Sequence, residues 1–429
     1  MKDSALALDI PLEASYNVVS ETYKGSDIDI HEACKEMRQK SPIYEGDFIA
    51  QFGVPTNAGL AQGTKPTFTL FDYDDVKKIL LDGDTYTNGF ILKGFGAAFE
   101  GGLFILGLDG EKHRKVRQLL QPAFMPATVN KWRDKIDGVI RSDFLEPMVA
   151  QKRANLMTFG LFFPIRIMYS LMGFPVTDSD QYKQFASWSL LMAGANQIDP
   201  SKVEEAKRLG MLAAEGLYKA IEEVVVKRRD EGVEQGEDLI AHLLRADYEG
   251  QRLTDHEVVT FVRSLLPAAG ETTTRTLSCI LTMLFTVPGL LDRVRNDRTL
   301  IPKLIDETVR YEPIATFKVR ETSRDVELHG VKIPKGSFIQ AMVVSANRDE
   351  KVFENPEEFN LERKQRPTFS FGFGPHTCIG QFVAKIELNC AINSMLDLFP
   401  NIRLDPDKPH PKIQGAQLRG ASEVHVIWD

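Results

Sequence analysis

The chain has 429 residues, of which 43% are hydrophobic and 26% are charged, so it can bury a sizeable core and is neither disordered nor of low complexity. Its formal net charge of -8 argues against a general nucleic-acid binder, because such a protein needs a basic surface to displace counterions from phosphates. Small molecules and other proteins remain as partners.

The cysteines and the N-terminus bear on the cellular compartment. Four cysteines in a chain of this length, Cys34, Cys279, Cys378 and Cys390, are too few and too scattered for a disulfide framework. They indicate a reducing compartment and a cytoplasmic protein. The first residues, MKDSALALDIPLEASYN, contain no apolar run near the roughly 20 residues of a membrane span, so neither an anchor nor a signal peptide is expected.

In chain order, an N-terminal segment of residues 1–65 precedes a strand-like stretch, PTFTLF, at 66–71. Residues 91–110 combine glycine with phenylalanine and leucine, which favours a loop that lines a substrate pocket. Most of residues 110–312 carries apolar residues three and four positions apart, as in KVEEAKRLGMLAAEGLYKAIEEVVVKRR, and this spacing predicts helices.

One long helix is predicted over residues 254–287, and strand-like pieces follow at 325–341 and 422–428. No repeat of 20 to 50 residues and no linker rich in serine, glycine or proline divides the chain. We therefore predict a single domain over residues 1–429, mainly α with small peripheral β-sheets.

The segment FGFGPHTCIG at residues 371–380 precedes a helical pattern, so Cys378 lies at the start of a helix. A helix N-terminus offers unpaired N–H groups and a partial positive charge, which stabilise a thiolate that can bind a metal. Gly374 and Gly380 permit unusual backbone angles and the close approach of a flat cofactor, and Phe371 can shield the sulfur from water. These residues fit a haem-thiolate site.

Other interpretations of Cys378 remain open on the residues alone. An isolated cysteine is often a small buried hydrophobe. Zinc is poorly supported, because His376 and Cys390 do not complete a set of four ligands with ordinary spacing. A nucleophilic cysteine needs a base and an oxyanion hole, and the sequence gives no independent sign of either.

The loop resembles the haem-binding signature of the cytochrome P-450 family, F-x-x-G-x-x-x-C-x-G, with matches at Phe371, Gly374, Cys378 and Gly380. The resemblance implies haem b with the Cys378 thiolate as axial ligand, and the cytochrome P-450 fold, a single domain shaped like a triangular prism. It extends over roughly residues 66–429, with further motifs in the expected order.

The pair Glu307 and Arg310, in LIDETVRYEP, resembles the E-x-x-R motif of the family, and the three-residue spacing puts both side chains on one helix face. Arg363, in NPEEFNLER, matches the third member of a buried Glu-Arg-Arg network that supports the cysteine loop. Such a network must be complete, because removal of one partner leaves a buried ion at a cost of roughly 3–5 kcal/mol. The bland alternative for this spacing is a solvated ion pair.

Haem carries two propionates, so cationic or hydrogen-bonding groups are expected at its edge. His113 and Arg117 lie four residues apart in KHRKVR, Arg320 precedes a predicted strand, and His376 belongs to the cysteine loop. Each resembles a propionate contact of the family, although a basic residue taken singly is more often a surface charge.

The segment AAGETT at 268–273 resembles the oxygen-activation motif of the family and implies Glu271 as the acid and Thr272 as the alcohol. The match departs at Ala269, which stands where glycine is usual. Pro267 removes one helical N–H and predicts a kink one turn before Thr272. Positioned acid–base groups typically contribute about 10²–10⁴ in rate.

The resemblance implies a monooxygenase that inserts one oxygen atom of O₂ into a hydrophobic small molecule. No flavin or nicotinamide fingerprint is found in the chain, so electrons must come from a separate ferredoxin and its reductase, as in soluble bacterial members. Lys112, Arg114 and Lys115 are candidate docking charges for an acidic partner, with a solvated helix face as the alternative.

The predicted substrate wall is mostly apolar, which indicates a hydrophobic organic molecule of modest size. Lys93 and Lys318 could select a carboxylate but are expected to be exposed. The wall is assigned to Phe95, Phe99, Phe104, Leu265, Ala268, Ala269, Ile314 and Phe317.

Three other functions are compatible with parts of the pattern. A haem-thiolate peroxygenase or isomerase needs no external electrons, but the Glu271–Thr272 pair counts against it. A non-catalytic haem sensor would need only the cysteine loop. A cysteine hydrolase predicts a colourless protein whose activity does not depend on a reductant.

Overall fold

The computed structural model describes residues 12–26, 29–54, 65–93, 104–174, 179–194, 200–232, 236–248 and 250–429. Helices dominate these residues. In the first half of the chain they are α1 Leu12–Lys24, α2 Ile30–Lys40, α3 Tyr73–Leu81, α4 Gly110–Leu120, α5 Pro126–Val129, α6 Arg133–Val139, α7 Met157–Gly160, α8 Phe163–Leu171, α9 Ser179–Ala193 and α10 Pro200–Asp230. In the second half they are α11 Leu239–Arg245, α12 Asp255–Thr286, α13 Leu290–Asn296, α14 Ile301–Tyr311, α15 Val343–Ala346 and α16 Gln381–Leu398.

The strands form one five-stranded sheet and three smaller ones, with the strands of the large sheet in the order β1-β2-β10-β7-β3. The other sheets are β11-β12-β4, β5-β6 and β8-β9. The strands are β1 Ile43–Glu45, β2 Thr67–Leu70, β3 Tyr86–Thr87, β4 Arg153–Asn155, β5 Asp247–Tyr248, β6 Gln251–Arg252, β7 Lys318–Thr322, β8 Val326–Leu328, β9 Val331–Ile333, β10 Phe338–Ala341, β11 Arg403–Leu404 and β12 His425–Ile427.

Helix α12 runs through the middle of the helical part and is buried along most of its length, packed against α8, α9, α10 and α14. Thr254 and Glu257 form a capping box that starts it: the Thr254 hydroxyl accepts from the Glu257 amide, and the Glu257 carboxylate accepts from the Thr254 amide. The helix continues to Thr286 without a break at Pro267.

Gly270 allows α12 to approach α8 closely, because a Cβ atom at this position would lie 2.5 Å from the Cδ1 atom of Ile165. Gly270 is buried and points toward α8. Its neighbour Thr272 is exposed on a different face of the same helix. The missing side chain at Gly270 therefore serves helix packing.

The prediction of a mainly α fold with small sheets is confirmed, and so are the long helix at 254–287 and the strands within 66–71, 325–341 and 422–428. No single helix in the described ranges combines the length and the apolar composition of a membrane span. Only α12 and α13 taken together meet that test, and they are bent by 103° where they join.

Candidate active site

The loop from Phe371 to Gly380 holds Cys378 by a backbone hydrogen bond: the Cys378 amide donates to the Phe371 carbonyl at 2.7 Å. Gly372 and Gly374 have φ angles of 73° and 71°, in the left-handed region that favours glycine. The freedom of backbone angle expected at Gly380 is not used, because its φ is -84°. A Cβ atom at Gly380 would nevertheless meet no atom within 4 Å, so the backbone there borders open space.

The Cys378 side chain is exposed to solvent. The sulfur is nevertheless surrounded by enough protein to be partly desolvated, which is consistent with a site set into the protein rather than on a convex surface. Burial raises the pKa of the Cys378 thiol, whereas the amide N–H groups of Gly380 and Gln381, at the start of α16, and the cations Lys318 and Arg117 favour the thiolate. The donors that stabilise an anionic sulfur therefore converge on Cys378.

Behind this loop, Glu307 and Arg310 form a buried bidentate ion pair, with Oε1–Nη2 at 2.7 Å and Oε2–Nε at 2.9 Å. The Arg363 Nε atom donates to the same Glu307 Oε1 atom at 3.1 Å. The two guanidinium groups also donate to backbone carbonyls, including that of Glu358, which both of them contact. The three residues of the predicted network are thus in direct contact.

Asn347 links this network to the cysteine loop, a role that no sequence signal indicated. Its carbonyl accepts from Arg310 Nη1 at 3.0 Å. Its side chain accepts from the Phe369 amide at 2.9 Å and donates to the Ser370 hydroxyl at 2.8 Å. Position 347 therefore joins the buried ion pair to the residues that enter the loop at Phe371.

Two predicted propionate contacts, His113 and His376, pack against each other with ring centroids 4.1 Å apart. Burial, together with His376 and Arg117, lowers the pKa of His113 to about 4. The His113 Nε2 atom is buried and lacks a hydrogen-bond partner among the described residues. Asp109 lies 3.8 Å from His376 Nε2.

Asp109 was not predicted as a site residue. Burial alone would raise its pKa, but His376 and the amides of Asn88 and Gly89 together lower it. The Asp109 carboxylate accepts from these amides at 2.9 Å and 2.8 Å, respectively. The aspartate immediately before the KHRKVR helix was the only sequence signal for this contact.

Arg117 and Arg320 also reach this region. Burial lowers the pKa of Arg117. The Cys378 sulfur opposes this shift, so the guanidinium and the sulfur lie near each other. Burial lowers the pKa of Arg320 to about 10, with Asp109 opposing. Lys318 was expected to be exposed, and this was wrong: it is partly buried on β7, and burial lowers its pKa.

On α12, Ala268 and Thr272 are exposed, Ala269 is half-buried and Leu265 is buried. The Thr272 hydroxyl donates to the Ala268 carbonyl one turn earlier at 2.7 Å. Small side chains therefore border open space on this face, with one hydroxyl among them.

Glu271 is buried and paired with Arg275, one turn later on the same helix, at 2.9 Å. Arg275 also donates to Ser20 on α1 at 3.2 Å, and its guanidinium lies 5.1 Å from the centroid of the Tyr16 ring. A small pocket beside Pro267 is lined in part by Glu271. The sequence analysis missed Arg275, although the four-residue spacing from Glu271 was a usable signal.

The predicted substrate wall is only partly described. Phe95 and Phe99 lie outside the described residues, and nothing is described of the Lys93 side chain. Phe104 and Phe317 are buried in apolar clusters, and Ile314 is also buried. The assignment of these residues to a substrate wall stays a prediction.

The residues around Cys378 fit haem. The described side chains here include several cations or potential cations, namely His113, Arg117, Arg320 and His376, which a ligand with two carboxylates would complement. The buried, unpartnered Nε2 atom of His113 offers a further hydrogen bond. Within the described ranges no group of three or more His, Cys, Asp or Glu side chains could hold a bare metal ion.

Comparison with known proteins agrees with this geometry. A protein-family model described as Cytochrome P450 matches residues 57–422. The chain is 33% identical over 306 residues to Cytochrome P450 107B1 of Saccharopolyspora erythraea, and the alignment covers 71% of each chain. It is 28% identical over 373 residues to the Erythromycin C-12 hydroxylase of the same organism, with 86% of this chain and 87% of the relative covered. Cyclomarin C epoxidase CymV of Salinispora arenicola is 29% identical over 343 residues, with 79% and 84% covered.

Solved structures give the same result. The structure of CYP109E1 from Bacillus megaterium in complex with testosterone is similar with a TM-score of 0.79 at 25% identity, covering 94% of this chain and all of the other. The ligand-free structure of Cytochrome P450 TbtJ1 has a TM-score of 0.79 at 27% identity, covering 93% and 97% of the two chains.

Proposed function

The chain belongs to the cytochrome P450 family of monooxygenases, and we propose that it hydroxylates a hydrophobic small molecule at a haem held by Cys378. The net reaction consumes O₂, two electrons and two protons, places one oxygen atom in a C–H bond of the substrate and releases the other as water. Haem supplies the binding and reductive activation of O₂ when it is present.

The observation that carries the proposal is the setting of Cys378. An exposed sulfur, partly desolvated by the surrounding protein, receives the N–H groups of Gly380 and Gln381 and lies near Arg117. These groups stabilise negative charge on sulfur and would hold a thiolate against a metal. The Glu307–Arg310 pair and Asn347 fix the backbone that precedes it.

We assign the haem propionates to His113, Arg117, Arg320 and His376. Burial or mutual repulsion lowers the pKa of each of these groups, so each would gain from a carboxylate. Phe371 is proposed to shield the sulfur, the missing side chain of Gly374 makes room for the Leu80 backbone, and Gly380 leaves open space where a flat ring could approach.

Thr272 and Glu271 are proposed to deliver protons to the reacting oxygen. The Thr272 hydroxyl is exposed on α12 and donates its one hydrogen to the Ala268 carbonyl, so to deliver a proton it must turn away from that carbonyl and take a replacement proton from Glu271. Glu271 is held by Arg275 on another face of the helix, so its carboxyl group must leave that ion pair, or act through water in the pocket beside Pro267, to reprotonate Thr272.

Electrons are proposed to come from a ferredoxin and its reductase. Lys112 and Arg114 on α4 are exposed, and Arg114 and Lys115 both lie within 4 Å of Glu111, at 3.7 Å and 3.3 Å. Among these cations Lys112 has no ion pair within the described residues, which makes it the most available to an acidic partner. The four free cysteines agree with a cytoplasmic location.

The substrate is proposed to be a hydrophobic molecule such as a terpenoid or an aromatic compound. The apolar side chains of the predicted wall support this class, and so do the testosterone complex of CYP109E1 and the erythromycin hydroxylase among the similar proteins.

The proposal is tested by the optical spectrum of the purified protein after reduction with dithionite and addition of carbon monoxide. We expect the red-shifted Soret band of thiolate ligation in the wild type and its loss in Cys378→Ser. Cys390→Ser is the matched control, because Cys390 is also free but is buried within α16, and it should leave the band unchanged. A band typical of imidazole ligation in the wild type would contradict the proposal.

A further inference from the structure

Strand β7 directs two cations to the same side of the large sheet. Lys318 and Arg320 lie two residues apart, so their side chains share one face of the strand. Val319, between them, belongs to a buried apolar cluster with Phe338 and Met342 on the other face. The side of β7 that carries Lys318 therefore faces away from that cluster.

The charges around these two cations locate the face. Arg320 lies near Asp109, which raises its pKa, and near His376, whose pKa Arg320 lowers. Lys318 lies near Arg320 and Cys378, because both of them shift the pKa of Lys318. The Lys318 ammonium and the Cys378 sulfur therefore lie near each other, and Lys318 shares its strand face with Arg320. The antiparallel pairing of Lys318 with Ala341 and of Arg320 with Ile339 fixes this register.

Lys318 has no hydrogen bond or ion pair with any residue in the described ranges, although it is partly buried. Its nearest charged side chain on the strand is another cation, Arg320, which adds to the cost of burial. Asp109, the acid of this region, is already occupied by the amides of Asn88 and Gly89. The Cys378 sulfur favours the charged form of Lys318, and a carboxylate on a bound molecule would add a direct ion pair that stabilises the ammonium further.

The four groups assigned to the haem propionates already exceed the two carboxylates that haem carries. Lys318 is an additional cation, and in the chain it comes one residue after Phe317, which belongs to the apolar cluster on the other face of β7. We propose that Lys318 is a carboxylate-binding residue near Cys378 and that it selects acidic hydrophobic substrates by an ion pair to their carboxylate. The inference rests on the proposed haem site. The carboxylate that Lys318 binds could also be a haem propionate rather than that of a substrate, and the experiment distinguishes the two.

The experiment uses holoenzyme and probes that bind haem iron whatever the natural substrate is, namely ω-(imidazol-1-yl)alkanoic acids of increasing chain length and their methyl esters. Dissociation constants from optical difference spectra are compared for the wild type, Lys318→Met and Lys318→Arg. In parallel, the rate of haem transfer to apomyoglobin is measured for each protein. Lys351→Met is the control, because Lys351 is an exposed lysine paired with Asp72 at 2.8 Å.

We expect the wild type to bind the acid of the best-fitting chain length about tenfold or more tightly than its ester, as a charge-assisted hydrogen bond allows. Lys318→Met should abolish this preference, Lys318→Arg should retain part of it, and haem transfer should be unchanged. If Lys318 instead holds a haem propionate, Lys318→Met should release haem severalfold faster, and the wild type should show no preference for the acid over its ester. That result would support Lys318 as a carboxylate-binding residue and overturn its assignment to the substrate.

The carbon monoxide spectrum of the wild type is recorded first, so failure of the haem-thiolate assignment is seen there. With that band present, equal affinity for acid and ester at every chain length, together with unchanged haem transfer in Lys318→Met, overturns the proposal for Lys318.

Discussion

Arg275 donates two hydrogen bonds to the same carboxylate oxygen of Glu271, from Nε at 3.0 Å and from Nη2 at 2.9 Å. Both side chains are at least nine-tenths buried, with exposed fractions of 4% for Arg275 and 7% for Glu271. A pair so enclosed depends on both partners, because either one left alone would be an uncompensated ion inside the protein.

We expect Arg275→Met and Glu271→Gln each to lower the free energy of unfolding by about 3–5 kcal/mol, and the double variant to lose much less than the sum. Chemical denaturation of the four proteins measures this coupling. The exposed pair Glu205 and Arg208 on α10, in contact at 2.7 Å, is the control, and Arg208→Met should change stability little. Additive losses in the first pair would show that the contact contributes no coupling energy.

Thr272 offers a test of proton delivery. Thr272→Val should reduce the rate of product formation about 10²-fold or more and raise the peroxide released per electron consumed, while the carbon monoxide spectrum stays unchanged. Thr272→Ser keeps the hydroxyl and should retain most activity. Thr282, whose hydroxyl donates to the Ser278 carbonyl at 2.8 Å, makes the same contact elsewhere on α12, so Thr282→Val is the control. Equal peroxide release from both valine variants would exclude a specific role for Thr272.

The two glycines of the haem signature should respond differently to alanine. A Cβ atom at Gly374 would lie 2.6 Å from the Leu80 carbonyl oxygen, and the φ angle there is 71°. We expect Gly374→Ala to cost more than about 2 kcal/mol of stability, because strain and a backbone contact add. Gly380→Ala should leave the unfolding temperature of haem-free protein unchanged and alter only haem affinity, since the added methyl group borders open space. Similar unfolding temperatures for the two variants would contradict this distinction.

Glu387 on α16 predicts a specific pH dependence. Burial raises its pKa well above 4.5, and Oε1 has no hydrogen-bond partner among the described residues. The folded protein then holds a proton that the unfolded chain releases above pH 4.5, so the stability contributed by this group is greatest below that pH and falls as pH rises toward the folded pKa. The Glu387→Gln variant cannot lose a proton there.

Thermal unfolding of the wild type and Glu387→Gln between pH 4.5 and 8 measures this effect. We expect the free energy of unfolding of Glu387→Gln, relative to that of the wild type, to increase as pH rises, by up to about 1.4 kcal/mol per pH unit over this range. Glu362→Gln is the control, because that carboxylate is exposed and paired with Arg293. A constant difference between wild type and Glu387→Gln at all pH values would show that Glu387 ionises normally in the fold.

The sequence predicted those features that depend on local spacing. The apolar period identified α12, and the motif spacing identified Glu307, Arg310 and the loop around Cys378, since these residues are close in the chain or belong to one helix. The contacts of Asn347 and the burial of Lys318 could not be predicted from local spacing. Asn347 accepts hydrogen bonds from Phe369 and Arg310, which are 22 and 37 residues away in the chain. The burial of Lys318 depends on the position of β7 in a sheet assembled from distant strands.

Gly270 shows a different limit. In the sequence, Ala269 stands where the family has glycine, and Gly270 is the next residue. In the structure Gly270 lies against Ile165, whereas Ala268 and Thr272 are on the exposed face of α12. A motif alignment cannot distinguish these roles, because a missing side chain serves either a cavity or a close helix contact, and only the neighbouring helix decides.

The contact of Arg275 with Tyr16 and Ser20 gives the beginning of the chain an influence on its chemistry. Shortening the protein so that α1 is lost would admit water to the guanidinium of Arg275 and weaken its hold on Glu271, even though every residue of the signature motifs stayed intact. With the role proposed for Glu271, preparations with and without α1 would differ in how the rate of product formation responds to pH, so catalytic measurements should keep this helix intact.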